Sequence, residues 1–207
     1  MVKLRNDRVL IWGGGSGIGK SIAERFLSSN ATVIIVGRSE DKLLQIAEEQ
    51  KSERLMTAVY DISDVENQPD FIQKTAEKFG EITAFVNAAA IGSGALTGRG
   101  YEPWDITPSE WDTLNDTNYK AAFFLIRNEI DYFKANDIRG NILNLASNAA
   151  CMDIIGSYGA AKLAIIKWTR AFGKRYGHDG IIINGIAPGA TFTPMIANYA
   201  KTADQPY

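Results

Sequence analysis

Tyr158 and Lys162 stand four positions apart in Tyr158-Gly159-Ala160-Ala161-Lys162, a spacing that sets a phenol and an ammonium side by side on one helix face. A phenol with its ordinary pKa of about 10 is a poor proton donor or acceptor at neutral pH. A neighbouring ammonium favours the phenolate and draws that pKa toward the range of general acid/base catalysis. Ser147 closes the apolar run Asn141–Ala146, where its hydroxyl can hydrogen-bond a substrate oxygen and align it with the Tyr158 hydroxyl. Asn118 sits inside a long helical stretch, where an amide is a mediocre helix former, and is suited to hold a water leading to Lys162. If the Ser147 hydroxyl does not serve, Asn148 is the alternative. A Tyr-x-x-x-Lys match alone is a weak signal; its place on the helix after the serine-ended strand carries more weight.

A second constellation lies near the N-terminus. Gly13-Gly14-Gly15-Ser16-Gly17-Ile18-Gly19 follows the apolar run Arg8–Gly13 and opens an amphipathic stretch in which Ile18, Ile22 and Phe26 repeat every four residues. Glycines let a chain turn tightly from strand to helix and approach a pyrophosphate, whose charge the helix N-terminus then holds. The spacing is Gly13-x-x-x-Gly17-x-Gly19, and no G-x-G-x-x-G frame fits it. About 20 residues further on, where an acid would hold the ribose hydroxyls of NAD, the turn Gly37-Arg38-Ser39 presents a guanidinium instead. Arg38 there suits a 2′-phosphate and favours NADP(H), with NAD(H) possible; the alternative is a solvated arginine pairing with Glu40 or Asp41.

These residues need elements to position them. Apolar runs of strand length alternate with stretches of helical period: strands at Arg8–Gly13, Ala31–Gly37, Leu55–Tyr60, Ile82–Asn87, Asn141–Ala146 and Gly180–Ala187, and helices from Gly17, at Glu40–Lys51, Val65–Phe79, from Pro108 through Phe133, and at Ser157–Tyr176. Ile91–Gly100 reads as a glycine-rich loop, and Thr191–Tyr207 as irregular or briefly helical. This alternation implies a doubly wound parallel α/β sheet of the Rossmann type, helices on both faces, in one domain spanning residues 1–207. In such a sheet ligands bind beyond the carboxyl ends of the strands. Every predicted strand ends in polar or glycine-rich sequence, as one shared crevice requires: Gly13–Gly19, Arg38 and Ser39, Asp61 and Ile62, Asn87, Ser147, and Pro188-Gly189.

Composition narrows the function classes. The 207 residues are 45% hydrophobic, with 22 Lys+Arg against 24 Asp+Glu, a balance unlike that of a general nucleic-acid binder. One Cys and one His make an internal disulfide, a cysteine metal site or a His-ligated metal centre improbable, and no metal is expected. No run has signal-peptide or membrane-spanning length, so a cytoplasmic protein without a membrane or nucleic-acid partner is expected. His178 reads as a residue of the exposed turn before the last strand, Trp104 and Trp111 as packing residues. Cys151 and Met152 read either as substrate-pocket lining or as ordinary apolar packing.

Taken together, these residues resemble the short-chain dehydrogenase/reductase family, over essentially the whole chain. Gly13…Gly17-Ile18-Gly19 is similar to its cofactor loop, with Gly15 and Ser16 inside it. Asp61 resembles its adenine-contacting aspartate, and Asn87-Ala88-Ala89-Ala90 its Asn-Asn-Ala-Gly motif. Asn118, Ser147, Tyr158 and Lys162 fall at the places of its catalytic tetrad. Pro188-Gly189, Thr191 and Thr193 lie in a stretch that resembles its nicotinamide-binding segment. The resemblance implies hydride transfer between nicotinamide C4 and the carbon of a carbonyl or secondary alcohol. Tyr158 would exchange the proton, Lys162 would also bind the nicotinamide ribose, and the chain would form a homodimer or homotetramer.

The chain departs from the family pattern at Trp12, where threonine is usual, at Ala88 and Ala90, in a longer Asn87-to-Asn118 interval enlarged by Ser93–Trp104, and in a Ser147-to-Tyr158 interval two residues shorter. Those departures motivate an alternative: a dinucleotide-binding regulatory or scaffold protein that retains the fold with weakened catalysis. Relatives continue beyond the Pro188–Thr193 segment. The resemblance therefore implies complete cofactor and tetrad sites, with the substrate lid, the C-terminal strand and a common subunit interface largely missing.

Overall fold

Six strands, β1 (Arg8–Trp12), β2 (Thr32–Gly37), β3 (Leu55–Val59), β4 (Ala84–Asn87), β5 (Asn141–Leu145) and β6 (Ile182–Ile186), form one sheet in the order β3-β2-β1-β4-β5-β6, every neighbouring pair parallel. The computed structural model describes residues 7–98, 106–152 and 156–196. The strand order reverses between β1 and β4, the point where a doubly wound sheet opens a crevice at its carboxyl edge. The central strands are β-branched and apolar throughout because both faces are covered: Val33, Ile34, Ile35 and Val36 of β2 are all fully buried.

Alternation along each strand divides the core. Val9, Ile11, Val33 and Ile35 pack against Ala23 and Leu27 of α1 (Gly17–Ser28) and Leu43 and Ile46 of α2 (Glu40–Gln50). Leu10, Trp12, Ile34 and Val36 face the other way, onto Ile72 of α3 (Gln68–Phe79) and Leu125, Ile130 and Phe133 of α6 (Ala121–Ala135). Each such branched side chain contributes about 1.5–3 kcal/mol when fully buried, so the two clusters outweigh the exposed ion pairs, each worth about 1 kcal/mol or less.

The strands and most helices lie within a few residues of their predicted limits, and two segments differ. The predicted loop at 91–100 contains a short helix, α4 (Ser93–Thr97), closed by Gly98 at φ 68°. The helix predicted from Pro108 is two helices, α5 (Pro108–Asn115) and α6, joined through a π-helical turn at Asp116–Lys120. Thr107 and Glu110 form a capping box at the start of α5, which satisfies amides the helix leaves unpaired. α7 (Ser157–Tyr176) has the predicted limits and packs on β6 and on the 148–151 turn. β6 is the sheet edge among the described residues, with Ile182 and Ile186 about half exposed.

Candidate active site

The glycine loop is held from both sides. The Gly13 and Gly14 amides donate to the Val36 carbonyl at 2.9 and 3.1 Å, and the Ala88 amide donates to the Trp12 carbonyl at 3.0 Å. Gly13 has φ 78°, and a Cβ there would lie 2.6 Å from the Ala89 amide nitrogen, so only glycine lets the loop pass the chain leaving β4. At Gly19 a Cβ would run into the Gly13 carbonyl, which brings the first turn of α1 down onto the loop. That turn has no side-chain cap from Ser16 and no acidic residue, leaving amide donors and the positive end of the helix dipole for an anion.

Gly15, Ser16, Gly17 and Ile18 line a cavity of about 800 Å³ together with Pro188, Thr191 and Thr193. Thr193 side-chain atoms lie 3.2 Å from where a Gly17 Cβ would be, and Met195 Cγ lies 3.2 Å from the corresponding position at Gly92. The segment after β6 thus runs from the glycine loop to the chain that follows β4. Its near end is tied to the turn after β5 by the Asn148 backbone amide, which donates to the Pro188 carbonyl at 3.0 Å, and Gly189 lies beside the Asn148 side-chain amide. Arg38, Ser39, Asp61, Ile62 and the four residues Asn118, Ser147, Tyr158 and Lys162 do not line this cavity.

Arg38 Nη1 lies 3.8 Å from Asp61 Oδ2, both side chains largely in solvent. Its partner is therefore the acid after β3 rather than Glu40 or Asp41, because β3 is the neighbour of β2 in the sheet. So exposed a pair is weak, and the guanidinium can exchange it for a stronger anion. Asp61 Oδ1 accepts from the Ser63 amide and hydroxyl at 3.0 and 2.8 Å, which shapes the turn. Ile62 is buried, its carbonyl accepting from Gln68 Nε2 at 2.8 Å. Ser39 precedes α2 without a side-chain capping bond.

Tyr158 and Lys162 come together on the first turns of α7. Lys162 is 3% exposed, its Nζ donating to the Leu145 carbonyl at 2.9 Å and lying 5.5 Å from the centre of the Tyr158 ring. Burial pushes the Lys162 pKa down to about 8. Ser147 precedes the 3-10 turn Asn148–Cys151, which packs against α7; its Oγ accepts from the Ala149 amide at 3.2 Å. Asn118 lies in the π-helical turn, which also packs on α7. Its side chain accepts from the Ile91 amide at 2.9 Å and donates to the Ile91 carbonyl at 2.7 Å, pinning the chain after β4 while leaving one N–H and one lone pair of the amide for a water.

Among the residues read as bland, His178 is 76% exposed beside Asp179 in a 3-10 turn. Cys151 and Met152 are both exposed, so neither is a core residue. Trp111 is 45% exposed, packing less than expected, and Trp104 lies outside the described residues.

One residue escaped the sequence reading. Glu129 on α6 is fully buried; its Oε1 accepts from the Trp12 indole N–H at 2.9 Å and its Oε2 from Asn87 Nδ2 at 3.0 Å. Burial, opposed by these two hydrogen bonds, pushes its pKa up to about 8. The signal was present: Glu129 is four residues from both Leu125 and Phe133, a charge on the apolar stripe of its helix.

Residues 7–204 match the short chain dehydrogenase family model. The chain belongs to the short-chain dehydrogenase/reductase family. Levodione reductase of Leifsonia aquatica is 32% identical over 205 residues, which cover 96% of this chain and 74% of that protein. The A-factor type gamma-butyrolactone 1'-reductase of Streptomyces virginiae is 30% identical over 203 residues, covering 95% and 76%. The crystal structure of levodione reductase superposes with a TM-score of 0.84 at 31% identity, covering 99% of this chain and 78% of that one. That of a 3-ketoacyl-(acyl-carrier-protein) reductase from Brucella melitensis complexed with NADH superposes with a TM-score of 0.85 at 27% identity, covering 96% and 82%. Family membership makes this short-chain dehydrogenase/reductase an NAD(P)-dependent oxidoreductase. None of its described helices is long and apolar enough to cross a membrane.

Proposed function

We propose that the protein transfers hydride between NADP(H), used in preference to NAD(H), and a small-molecule carbonyl or secondary alcohol, with Tyr158 as the general acid/base. The observation that carries this reading is the buried Lys162 ammonium 5.5 Å from the Tyr158 ring, on the helix that packs against the turn after Ser147. The uncapped first turn of α1, and a loop in which a Gly13 Cβ would strike Ala89, fit a pyrophosphate. When bound, the dinucleotide supplies or accepts the hydride at nicotinamide C4.

The protein's own groups do the rest. Amides of the Gly13–Gly19 loop hold the phosphates, with Thr191 and Thr193 nearby on the segment after Pro188-Gly189. Asp61 and Ile62 with Asn87, Ala88 and Ala89 surround the adenosine half, and Arg38 with Ser39 takes the 2′-phosphate. Ser147 hydrogen-bonds the substrate oxygen. Tyr158 gives that oxygen a proton during reduction and removes it during oxidation. Lys162 favours the phenolate by its charge and binds the nicotinamide ribose, while Asn118 keeps the proton path to Lys162 in place. One sheet carries both halves of the site. The scaffold alternative rested in part on Trp12, and that argument weakens because the indole is buried and hydrogen-bonded to Glu129.

Tyr158→Phe tests the reading against a panel of ketones and aldehydes. NADPH oxidation is expected to fall by about 10²-fold or more, with the NADPH dissociation constant within about 2-fold of wild type. Unchanged turnover in the variant overturns the mechanism.

A further inference from the structure

Trp12 ends β1 and Asn87 ends β4, the two strands that flank the reversal of strand order. The residues immediately after them are the ones that meet: Gly13 from one strand, Ala88 and Ala89 from the other. Directly beneath this junction, one buried carboxyl holds both strand ends. We propose that Glu129 is a positioning residue for the dinucleotide site, locking the end of β1 to the end of β4 through Trp12 and Asn87 and so fixing the glycine loop. This rests on the reading that the strand-end crevice binds NAD(P)(H).

The carboxyl is not explained by packing. An apolar side chain between Leu125 and Phe133 would fill the same stripe without the cost of desolvating an acid. Glu129 instead accepts from two donors on different strands, 117 and 42 residues away in sequence. The contacts continue beyond it. Asn87 Nδ2 donates to Asn144 Oδ1 at 2.8 Å, Asn144 Nδ2 donates to Thr169 Oγ1 at 2.9 Å, and that hydroxyl donates to the Ile165 carbonyl at 2.7 Å. The chain of hydrogen bonds thereby ends on α7, the helix of Tyr158 and Lys162. The adjacent Asn128 donates to Gln68 Oε1 at 3.0 Å, and Gln68 in turn holds the Ile62 carbonyl after β3. Two consecutive residues of α6 therefore reach the ends of three strands. The Trp12 ring completes the brace, packing on Phe71 and Tyr60 with centroids 5.4 and 6.0 Å away. Burial, opposed by the hydrogen bonds from Asn87 and Trp12, pushes the pKa of the carboxyl up to about 8.

The test titrates NADPH and NADH into wild type, Glu129→Ala, Glu129→Gln and Trp12→Phe, following the reduced nicotinamide fluorescence, with a thermal melt of each. Loss of a buried acceptor for two donors is expected to raise the cofactor dissociation constant of Glu129→Ala about 10-fold or more. Turnover at saturating cofactor should stay within about 3-fold. Glu129→Gln keeps the shape and one acceptor and should recover most of the affinity. Trp12→Phe keeps a ring but deletes the indole donor, and should weaken binding at least about 3-fold. A folded Glu129→Ala variant with a lowered melting temperature and wild-type cofactor affinity overturns the proposal, leaving Glu129 a stability residue only. If Glu129→Ala does not fold, Trp12→Phe decides: unchanged affinity overturns the proposal, weakened affinity supports it. Wild type that binds neither cofactor overturns the functional reading itself, and this inference with it.

Discussion

The Lys162 ammonium lies 5.5 Å from the centre of the Tyr158 ring while it donates to the Leu145 carbonyl at the end of β5. One bond thus ties α7 to a strand end and holds the ammonium beside the phenol. Lys162→Met keeps the buried stem and removes the charge. It should lower kcat by about 10²- to 10⁴-fold. The acid-side limb of the pH profile for alcohol oxidation, where Tyr158 must be ionised to act as base, should also shift upward, because the phenol no longer has a cation beside it. A pH profile of unchanged shape would show that Lys162 does not tune Tyr158.

Arg38 and Asp61 share the turn between the ends of β2 and β3, 3.8 Å apart and solvent-exposed. Arg38→Asp should raise the NADPH dissociation constant about 100-fold, since charge-assisted hydrogen bonds to a phosphate are the strong ones, while NADH changes by less than about 5-fold. Calorimetric titration of both cofactors checks this. Equal losses for the two would rule out a 2′-phosphate role.

Much of the fold is legible in the sequence. Runs such as Val33–Val36 are strands because β-branched residues suit a sheet covered on both faces, and Tyr158 and Lys162 meet because four residues make one helical turn. What stayed hidden depended on contacts distant in sequence or on small departures from a period. The π-helical turn at 116–120 adds less than a turn to a long apolar repeat, so α5 and α6 read as one helix. The alternative for Arg38 was a local pair with Glu40 or Asp41, yet the acid beside it is Asp61, in the turn after the neighbouring strand. Glu129 stood out only as a charge on an apolar face, and no local pattern could name Trp12, 117 residues earlier, as its donor.

Two buried titratable groups, Glu129 and Lys162, predict opposite limbs of the stability–pH curve. Glu129 rises from an ordinary 4.5 to about 8, so between those values the folded state holds a proton the unfolded chain has lost, and stability falls as pH rises. Lys162 drops from 10.5 to about 8, so between about 8 and 10.5 the unfolded chain holds the extra proton and stability rises with pH. Each limb has a slope of up to about 1.4 kcal/mol per pH unit, which puts a minimum near pH 8. Urea unfolding across pH 5–10 should show that minimum in wild type, Glu129→Gln should flatten the acid limb, and Lys162→Met the alkaline one. A limb that survives its own substitution would show that other groups set the pH dependence.

Gly13 combines a left-handed φ with the close approach of the glycine loop to the chain after β4. Its φ of 78° strains any L side chain, by about 1–3 kcal/mol, and a Cβ would press to 2.6 Å on the Ala89 amide nitrogen. Since Ala88 and Ala89 are backbone neighbours of Asn87, relief of that contact must push the loop away from β4 or pull on the Asn87–Glu129 bond. Gly13→Ala should therefore lower the melting temperature by several degrees and weaken both NADPH and NADH about 10-fold or more, without the preference for one cofactor over the other that Arg38→Asp would reveal. Gly98, where φ is 68° but a Cβ would meet nothing within 4 Å among the described residues, is the control. Gly98→Ala carries the dihedral strain alone, so it should cost stability while leaving cofactor affinity unchanged. If the two alanine variants bound cofactor equally well, the close approach of the loop to Ala89 would have no part in forming the site.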